Sequence, residues 1–273
     1  MHPLLRLLLP PIFLLGSQSV HAECKRTPYA FKGPDEFISI QKATTPDTKG
    51  TVLLSHGGTA GKAGPLSTKW AAFLASNGYD AVVLSHFPQR GLTAPNCSAT
   101  YSEADAWRRE DALAVIKWLS ESKSPQTQNI FIMGFSAGTA AVFPFITDSR
   151  FQSDLPESNR IKGGILLYPW AYGCMNPPPK LTKQTLFIGA EEDNVMRCWE
   201  TSSWLRSETQ SKLITLEIFK GVTHAFDNIS MKVRKCTDSG RYPYCMEYNA
   251  EAHQKAEDRV LKFLTARLSD QTN

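Results

Sequence analysis

The part of this sequence richest in chemistry is Gly134-Phe135-Ser136-Ala137-Gly138, a G-x-S-x-G pattern. It follows an apolar block at 130–133 and leads into the small residues Thr139-Ala140-Ala141. Glycines two positions before and after a serine allow a tight strand-to-helix turn, which exposes the hydroxyl above the edge of a sheet. A serine hydroxyl is a poor nucleophile until a base takes its proton and a third group orients that base. In this architecture the chain order is serine, acid, histidine, with the last two in loops after later strands. Beyond residue 22 the histidines are His56, His86, His224 and His253, and only the last two follow Ser136. His253 falls within an amphipathic helical pattern. His224 lies in Lys220-Gly221-Val222-Thr223-His224-Ala225-Phe226, just past a strand-like run, and is the expected base.

The acid is expected in Gly189-Ala190-Glu191-Glu192-Asp193-Asn194-Val195, which follows the apolar run 186–188. Glu-Asp-Asn-Val resembles a common acid-loop pattern in which the aspartate orients the histidine, so Asp193 is the expected acid. Glu192, one register away, is the alternative, since glutamate also serves in this role. Acyl transfer needs backbone N–H donors where negative charge develops on the carbonyl oxygen. Ala137, directly after the nucleophile, offers one. Gly58, in Ser55-His56-Gly57-Gly58-Thr59-Ala60-Gly61, is the expected second donor, with His56 bracing that loop. The same loop nearly matches a phosphate-binding G-x-x-x-x-G-K-[ST] pattern. It has His56 where the first glycine belongs and Ala63 where a metal-binding hydroxyl is needed, so nucleotide binding is set aside. His86, Phe87, Trp170 and Tyr172 follow strand-like runs and are the expected pocket walls.

These residues need a scaffold, and the chain supplies one. Segments at 52–54, 81–84, 130–133, 165–168, 186–188 and 214–219 read as strands, most of them continuous apolar blocks of the kind buried on both faces. An alternating segment at 37–40 reads as an antiparallel edge strand. Helical patterns fall at 68–77, 104–120, 137–146, 199–208 and 250–268. In the second, Ala112, Val115, Ile116 and Leu119 form an apolar stripe. This alternation implies an α/β fold, a mostly parallel central sheet with helices on both faces. At 273 residues, with 42% apolar and 21% charged side chains, the composition is that of an ordinary globular chain. A net charge of +4, from 30 basic and 26 acidic residues, gives no support for a nucleic-acid partner. No G-x-G-x-x-G follows a strand and no Cys/His cluster has zinc spacing, so neither cofactor nor metal is expected.

Residues 1–22 read as a signal peptide. Arg6 is the basic element, 4–15 is the apolar run, and Val20-His21-Ala22 suits cleavage before Glu23. The run is shorter than the ~20 residues that span a bilayer. Residues 23–273 are then expected as a single domain, secreted or periplasmic, with no membrane association after cleavage. Export turns the six cysteines, Cys24, Cys97, Cys174, Cys198, Cys236 and Cys245, into disulfide candidates. Sequence alone leaves their pairing open. The preferred set is Cys236–Cys245 closing a short Gly/Pro-containing loop, Cys174–Cys198 joining two loops, and Cys24–Cys97 by elimination. Cys198 follows the acid loop, while Cys236 and Cys245 lie just beyond the base loop. A bridge at either place would hold a catalytic loop.

From about Val52 to Leu268 the chain resembles the dienelactone hydrolase-like branch of the α/β-hydrolases. The resemblance runs through Leu54-Ser55-His56-Gly57-Gly58, the helix from Trp70 to Gly78-Tyr79, and Gly134-Phe135-Ser136-Ala137-Gly138. It continues through Glu192-Asp193-Asn194, Gly221-Val222-Thr223-His224-Ala225-Phe226-Asp227 and Tyr248-Asn249-Ala250-Glu251-Ala252. It implies an α/β-hydrolase fold and metal-free hydrolysis through an acyl-enzyme, with Ser136, Asp193 and His224 as triad. The enzyme that names the family uses a cysteine nucleophile. Ser136 in its place implies a general carboxylic ester, small or polymeric, in preference to dienelactone. A serine peptidase or thioesterase would use the same triad. A non-catalytic secreted binding protein would be free to lose any of its members, and all three residue types are present.

Overall fold

The computed structural model describes residues 38–58, 61–92, 98–121, 129–153, 155, 160–169, 180–195, 212–237 and 244–269. The apolar blocks form strands β1 (Ile38–Gln41), β2 (Gly50–Ser55), β3 (Tyr79–Leu84), β4 (Ile130–Phe135), β5 (Ile161–Leu167), β6 (Thr185–Ala190) and β7 (Ile214–Phe219). They make one 7-stranded sheet in the order β1-β3-β2-β4-β5-β6-β7. Only β1 runs antiparallel, paired with β3 at the edge; the other neighbours are parallel.

The interior blocks look continuously apolar because strands β2 to β6 each feed two cores, one from each face of the period-2 alternation; the edge strands β1 and β7 are partly exposed. Val52 and Leu54 of β2, with Phe131 and Met133 of β4, pack on Trp70 and Leu74 of helix α1 (Pro65–Ser76). The same core takes Ala256, Val260 and Leu264 from the last helix, α4 (Ala250–Ser269), naming as α3 a short intervening helix at Phe143–Thr147. Leu53, Ile130 and Ile132 point the other way, toward Ala112, Val115 and Ile116 of α2 (Tyr101–Glu121) and Phe145 and Ile146 of α3. Burying a Leu or Ile side chain stabilises by roughly 1.5–3 kcal/mol, so a cut in either stripe is felt. Helix α1 begins with Pro65 in its first turn and ends at Asn77-Gly78, where Gly78 takes φ +89°.

One expected helix is broken. Residues 137–146 do not form a single helix; a 3₁₀ turn spans Ser136–Ala141 and α3 starts afresh at Phe143. Pro144, in the first turn of α3, has no N–H for the bond that a continuous helix would need there. Two short strands had no counterpart in the sequence reading: β8 (Lys235–Thr237) and β9 (Tyr244–Met246) form an antiparallel ribbon. Cys236 and Cys245 face each other across it and are joined by a disulfide. The expected signal peptide, the helix at 199–208, Trp170, Tyr172, Cys24, Cys97, Cys174 and Cys198 lie outside the described residues. No described helix is long and apolar enough to cross a membrane.

The strand order reverses at β2. From β2 the chain steps outward to β3, then returns to place β4 on the opposite side of β2. A crevice opens at the carboxyl ends of strands where such an order reverses. Here Ser55 is paired with Gly134, so the loop leaving β2 and the turn leaving β4 emerge side by side.

Candidate active site

Ser136 stands at that reversal. Its φ is +49°, a left-handed conformation that is uncommon for a residue with a side chain. The two flanking glycines explain how the turn closes. A Cβ on Gly134 would come within 2.6 Å of the Thr139 Cα, and one on Gly138 would overlap the carbonyl oxygens of Ser55 and His56. The turn and the loop after β2 are therefore pressed together, with backbone where side chains would normally stand. Thr139 Oγ1 donates to the Ser136 carbonyl at 2.6 Å and ties the turn internally.

The loop after β7 brings His224 over this serine. Ser136 Oγ is 2.9 Å from His224 Nε2, and His224 Nδ1 is 2.7 Å from Asp193 Oδ2. Asp193 sits in the loop after β6 and is 2% exposed; its other oxygen accepts the Val195 amide at 2.9 Å. A carboxylate on Nδ1 leaves Nε2 as the nitrogen that meets the serine, the arrangement in which imidazole can take a hydroxyl proton. Glu192, the alternative acid, goes elsewhere. It is solvent-exposed and accepts both Arg234 guanidinium nitrogens at 3.2 Å, on the side of the β8–β9 ribbon. Glu191 and Glu192 occupy a turn closed by the Asp193 amide on the Ala190 carbonyl at 3.2 Å, and of the three carboxylates only Asp193 is buried.

Gly57 and Gly58 border the same space, and a Cβ on Gly57 would lie 3.1 Å from that of Ser136. Gly58 adopts φ +73°, a conformation that favours glycine. Ala137 is the second residue of the 3₁₀ turn, in the first turn where backbone amides lack an acceptor within the helix. His56 Nδ1 lies 2.8 Å from the Gly57 carbonyl, so this side chain does brace the loop. Burial, with the neighbouring His86 and the Arg108 cation, lowers its pKa to about 3 and keeps it neutral.

The cavity above Ser136 has a volume of about 280 Å³. Leu66, Phe135, Tyr168, Val195, Ala225, Tyr244 and Met246 wall it, beside Gly57, Gly58 and His224. Two expected walls need correction. His86 and Phe87 are both 0% exposed and do not border it. His86 is instead the centre of a buried polar chain beneath the loop after β2. Its Nε2 meets Ser55 Oγ at 2.9 Å, its Nδ1 meets Asp111 Oδ2 at 2.9 Å, and Arg90 grips Asp111 through two nitrogens at 3.0 and 2.8 Å. Phe87 packs with Leu92, Ala99 and Ala104 in a small satellite core. Strand-end position predicts nearness to the crevice, but His86 turns inward, where Ser55 and Asp111 partner both ring nitrogens and make its burial tolerable.

Tyr168, Tyr244, Met246 and Asp227 are the residues that sequence reasoning passed over. Tyr168, at φ +36°, sets its ring edge-on to His224 with centroids 4.8 Å apart. Its hydroxyl donates to the buried Asp227 at 2.8 Å, and Trp70 Nε1 donates to the other oxygen of that carboxyl, also at 2.8 Å. Burial raises the pKa of both Tyr168 and Asp227. Tyr244 and Met246 come from β9, and Met246 forms an isolated bridge with His224. Next to it, the Glu247 amide donates to Thr223 Oγ1 at 2.8 Å. The disulfide-linked ribbon is thus sewn to the histidine loop. The alternation Tyr244-Cys245-Met246 puts the two large side chains on one face and the cysteine on the other, over too few residues to mark a strand in advance.

A parallel sheet sandwiched between helices, with a strained serine at the strand reversal facing a loop histidine, defines the α/β-hydrolase fold. Within that fold, residues 67–268 match the family model for the dienelactone hydrolase family, and the chain belongs to it. Among solved structures it is similar to esterase 2 of Thermogutta terrifontis. In the form phosphorylated by paraoxon, identity is 18% over 84% of this chain and 88% of that one, with a TM-score of 0.59. The propionate-bound and butyrate-bound forms are 17% identical with the same coverages, at TM-scores of 0.58 and 0.57. At such identities the likeness is one of fold. No curated protein sequence matches this chain.

Proposed function

We propose that this chain is an exported serine hydrolase that cleaves carboxylic esters of short acyl chain through an acyl-enzyme. The observation that carries the reading is the continuous hydrogen-bonded chain Ser136–His224–Asp193, at 2.9 and 2.7 Å, opening on an apolar cavity. His224 Nε2 takes the Ser136 proton as Oγ attacks the ester carbonyl. The oxyanion is received by the Gly58 and Ala137 amides. His224 then protonates the departing alcohol, and later deprotonates the water that releases the carboxylic acid and restores Ser136. Asp193 holds the imidazole in the tautomer with hydrogen on Nδ1 and stabilises the imidazolium that forms.

The acyl group is argued from size and lining. A cavity of about 280 Å³, with Leu66, Phe135, Val195 and Met246 in its walls, suits a chain of a few carbons better than a long lipid. The related-fold esterase has been seen with propionate and with butyrate. Export rests on the leader at 1–22 and agrees with the Cys236–Cys245 disulfide. N-terminal sequencing of the protein from culture should begin at Glu23. The activity is tested with p-nitrophenyl esters of increasing acyl length on wild type and Ser136→Ala. Hydrolysis should peak at two to four carbons, on the order of what a cavity this size holds, and vanish with the serine. No turnover of any ester, together with no labelling of Ser136 by a fluorophosphonate, refutes the reading.

A further inference from the structure

Helix α2 carries an arginine in the middle of its apolar stripe. Ala104, Arg108, Ala112, Val115 and Leu119 are all buried on it, and Arg108 is 0% exposed. Burying a guanidinium is costly unless its charge and donors are engaged. Nη2 of Arg108 donates to the Gly58 carbonyl and reaches the His56 carbonyl at 3.4 Å. Its guanidinium carbon stands 5.0 Å from the Phe87 ring centroid, and Nη1 lies 3.6 Å from Asp105 Oδ1.

The two carbonyls that Arg108 takes bracket Gly57-Gly58, the segment beside Ser136. In a trans peptide unit the carbonyl and the amide hydrogen point in opposite directions. Drawing the His56 carbonyl toward α2 turns the Gly57 amide the other way. The His56 ring, on the Gly57 carbonyl at 2.8 Å, does the same for the Gly58 amide. Glycines are the residues least able to hold such an orientation unaided. Gly58, at φ +73°, has no atom of the described residues within 4 Å of where a Cβ would stand, so no packing at that point holds the turn.

We propose that Arg108 is a positioning residue for oxyanion stabilisation: through the His56 carbonyl it orients the Gly57 amide directly, and through the Gly58 carbonyl it pins the far end of the segment whose Gly58 amide the His56 ring orients, so that both amides are held toward Ser136. The proposal rests on the serine-hydrolase reading above. Arg108 touches no substrate. It acts by fixing backbone dipoles and by setting a buried positive charge behind them, where charge develops in the transition state.

The test compares wild type, Arg108→Gln and Arg108→Lys on p-nitrophenyl butyrate, with a fluorophosphonate probe run to completion to count folded sites. Per labelled site, Arg108→Gln should lower kcat about 100-fold, the scale of losing one oxyanion donor, with KM moved less than about threefold. The rate of phosphonylation should fall in parallel while final labelling still reaches one probe per chain. Arg108→Lys, which keeps a cation able to reach a carbonyl, should recover part of kcat. If Arg108→Gln yields no labelled sites, the Lys variant carries the test through the same split of kcat from KM. A kcat per labelled site within about threefold of wild type, or a loss confined to KM, overturns the proposal. Wild-type protein that hydrolyses no ester, or Ser136→Ala that still does, instead overturns the hydrolase reading and leaves Arg108 out of the matter.

Discussion

The floor and the rim of the cleft are held together by different means. The floor consists of the loop after β2, the turn at Ser136 and the loops carrying Asp193 and His224, all seated on strand ends. Beneath the first of these lies a buried polar chain, Ser55–His86–Asp111–Arg90, with Arg108 beside it. The rim is the ribbon β8–β9, far more open to solvent, held by a disulfide and by Met246, which packs against the main core. The difference teaches where each function resides. Ser136, His224 and Asp193 are fixed by burial and hydrogen bonds, whereas Tyr244 and Met246, which line the cavity, stand on a stapled ribbon. Protons should therefore attack the floor, and reductants the rim.

The sharpest break in this comparison is expected at the acid, where the two regions meet in neighbouring residues. Asp193 belongs to the floor and Glu192 to the rim, through Arg234. Asp193→Asn should reduce kcat about 10⁴-fold, because the wrong tautomer of His224 is then favoured. Glu192→Gln breaks an exposed ion pair worth at most about 1 kcal/mol and should leave kcat within about threefold. Steady-state kinetics on one short ester decides it. A collapse of the Glu192 variant alone would move the acid to the rim.

Next in size is the staple. Replacing both Cys236 and Cys245 with serine should lower kcat/KM about tenfold, since a wall displaced by roughly 1 Å can cost up to about 100-fold. The chemistry should survive, with fluorophosphonate labelling of Ser136 still complete. Titrated with reductant, activity should fall before the near-ultraviolet circular dichroism of the buried core. Simultaneous loss of both would mean that the ribbon supports the whole fold.

The last contrast is read in stability, with no change in activity required. The pKa of His56 falls to about 3 in the folded chain from an unfolded value of 6.5, and burial also lowers that of His86. The unfolded chain therefore binds more protons between these limits, so stability should decline as pH drops from 6.5 toward 3. His56→Gln keeps a donor for the Gly57 carbonyl but does not titrate. Its urea midpoints should show a shallower decline across that window than wild type. An unchanged slope would assign the acid sensitivity to other groups.

Much of the floor was legible in the sequence because short-range rules govern it. Flanking glycines, a preceding apolar strand and chain order single out Ser136 and His224, and a fold with the expected sheet brings them within hydrogen-bonding distance. The acid loop left Asp193 and Glu192 open, since side-chain direction in a loop depends on packing. His86 and Phe87 misled because a strand-end position does not say whether the next residue turns outward or down into the core. Arg108 carried a signal that went unread: the stripe of Ala112, Val115 and Leu119 extends back through Arg108 to Ala104, and a charge on a buried face needs partners. The ribbon is three residues a side, too short for periodicity to register. Only its cysteines announced it.

The central claim is that Ser136 is the nucleophile, activated by His224. Intact-mass and peptide-mapping spectrometry after brief mixing with a p-nitrophenyl ester, quenched in acid, tests it most directly. The expected result is one acyl adduct on the peptide bearing Ser136, decaying on further incubation and absent from Ser136→Ala. An adduct on a different residue, or ester hydrolysis by the Ser136→Ala chain at the wild-type rate, would contradict it.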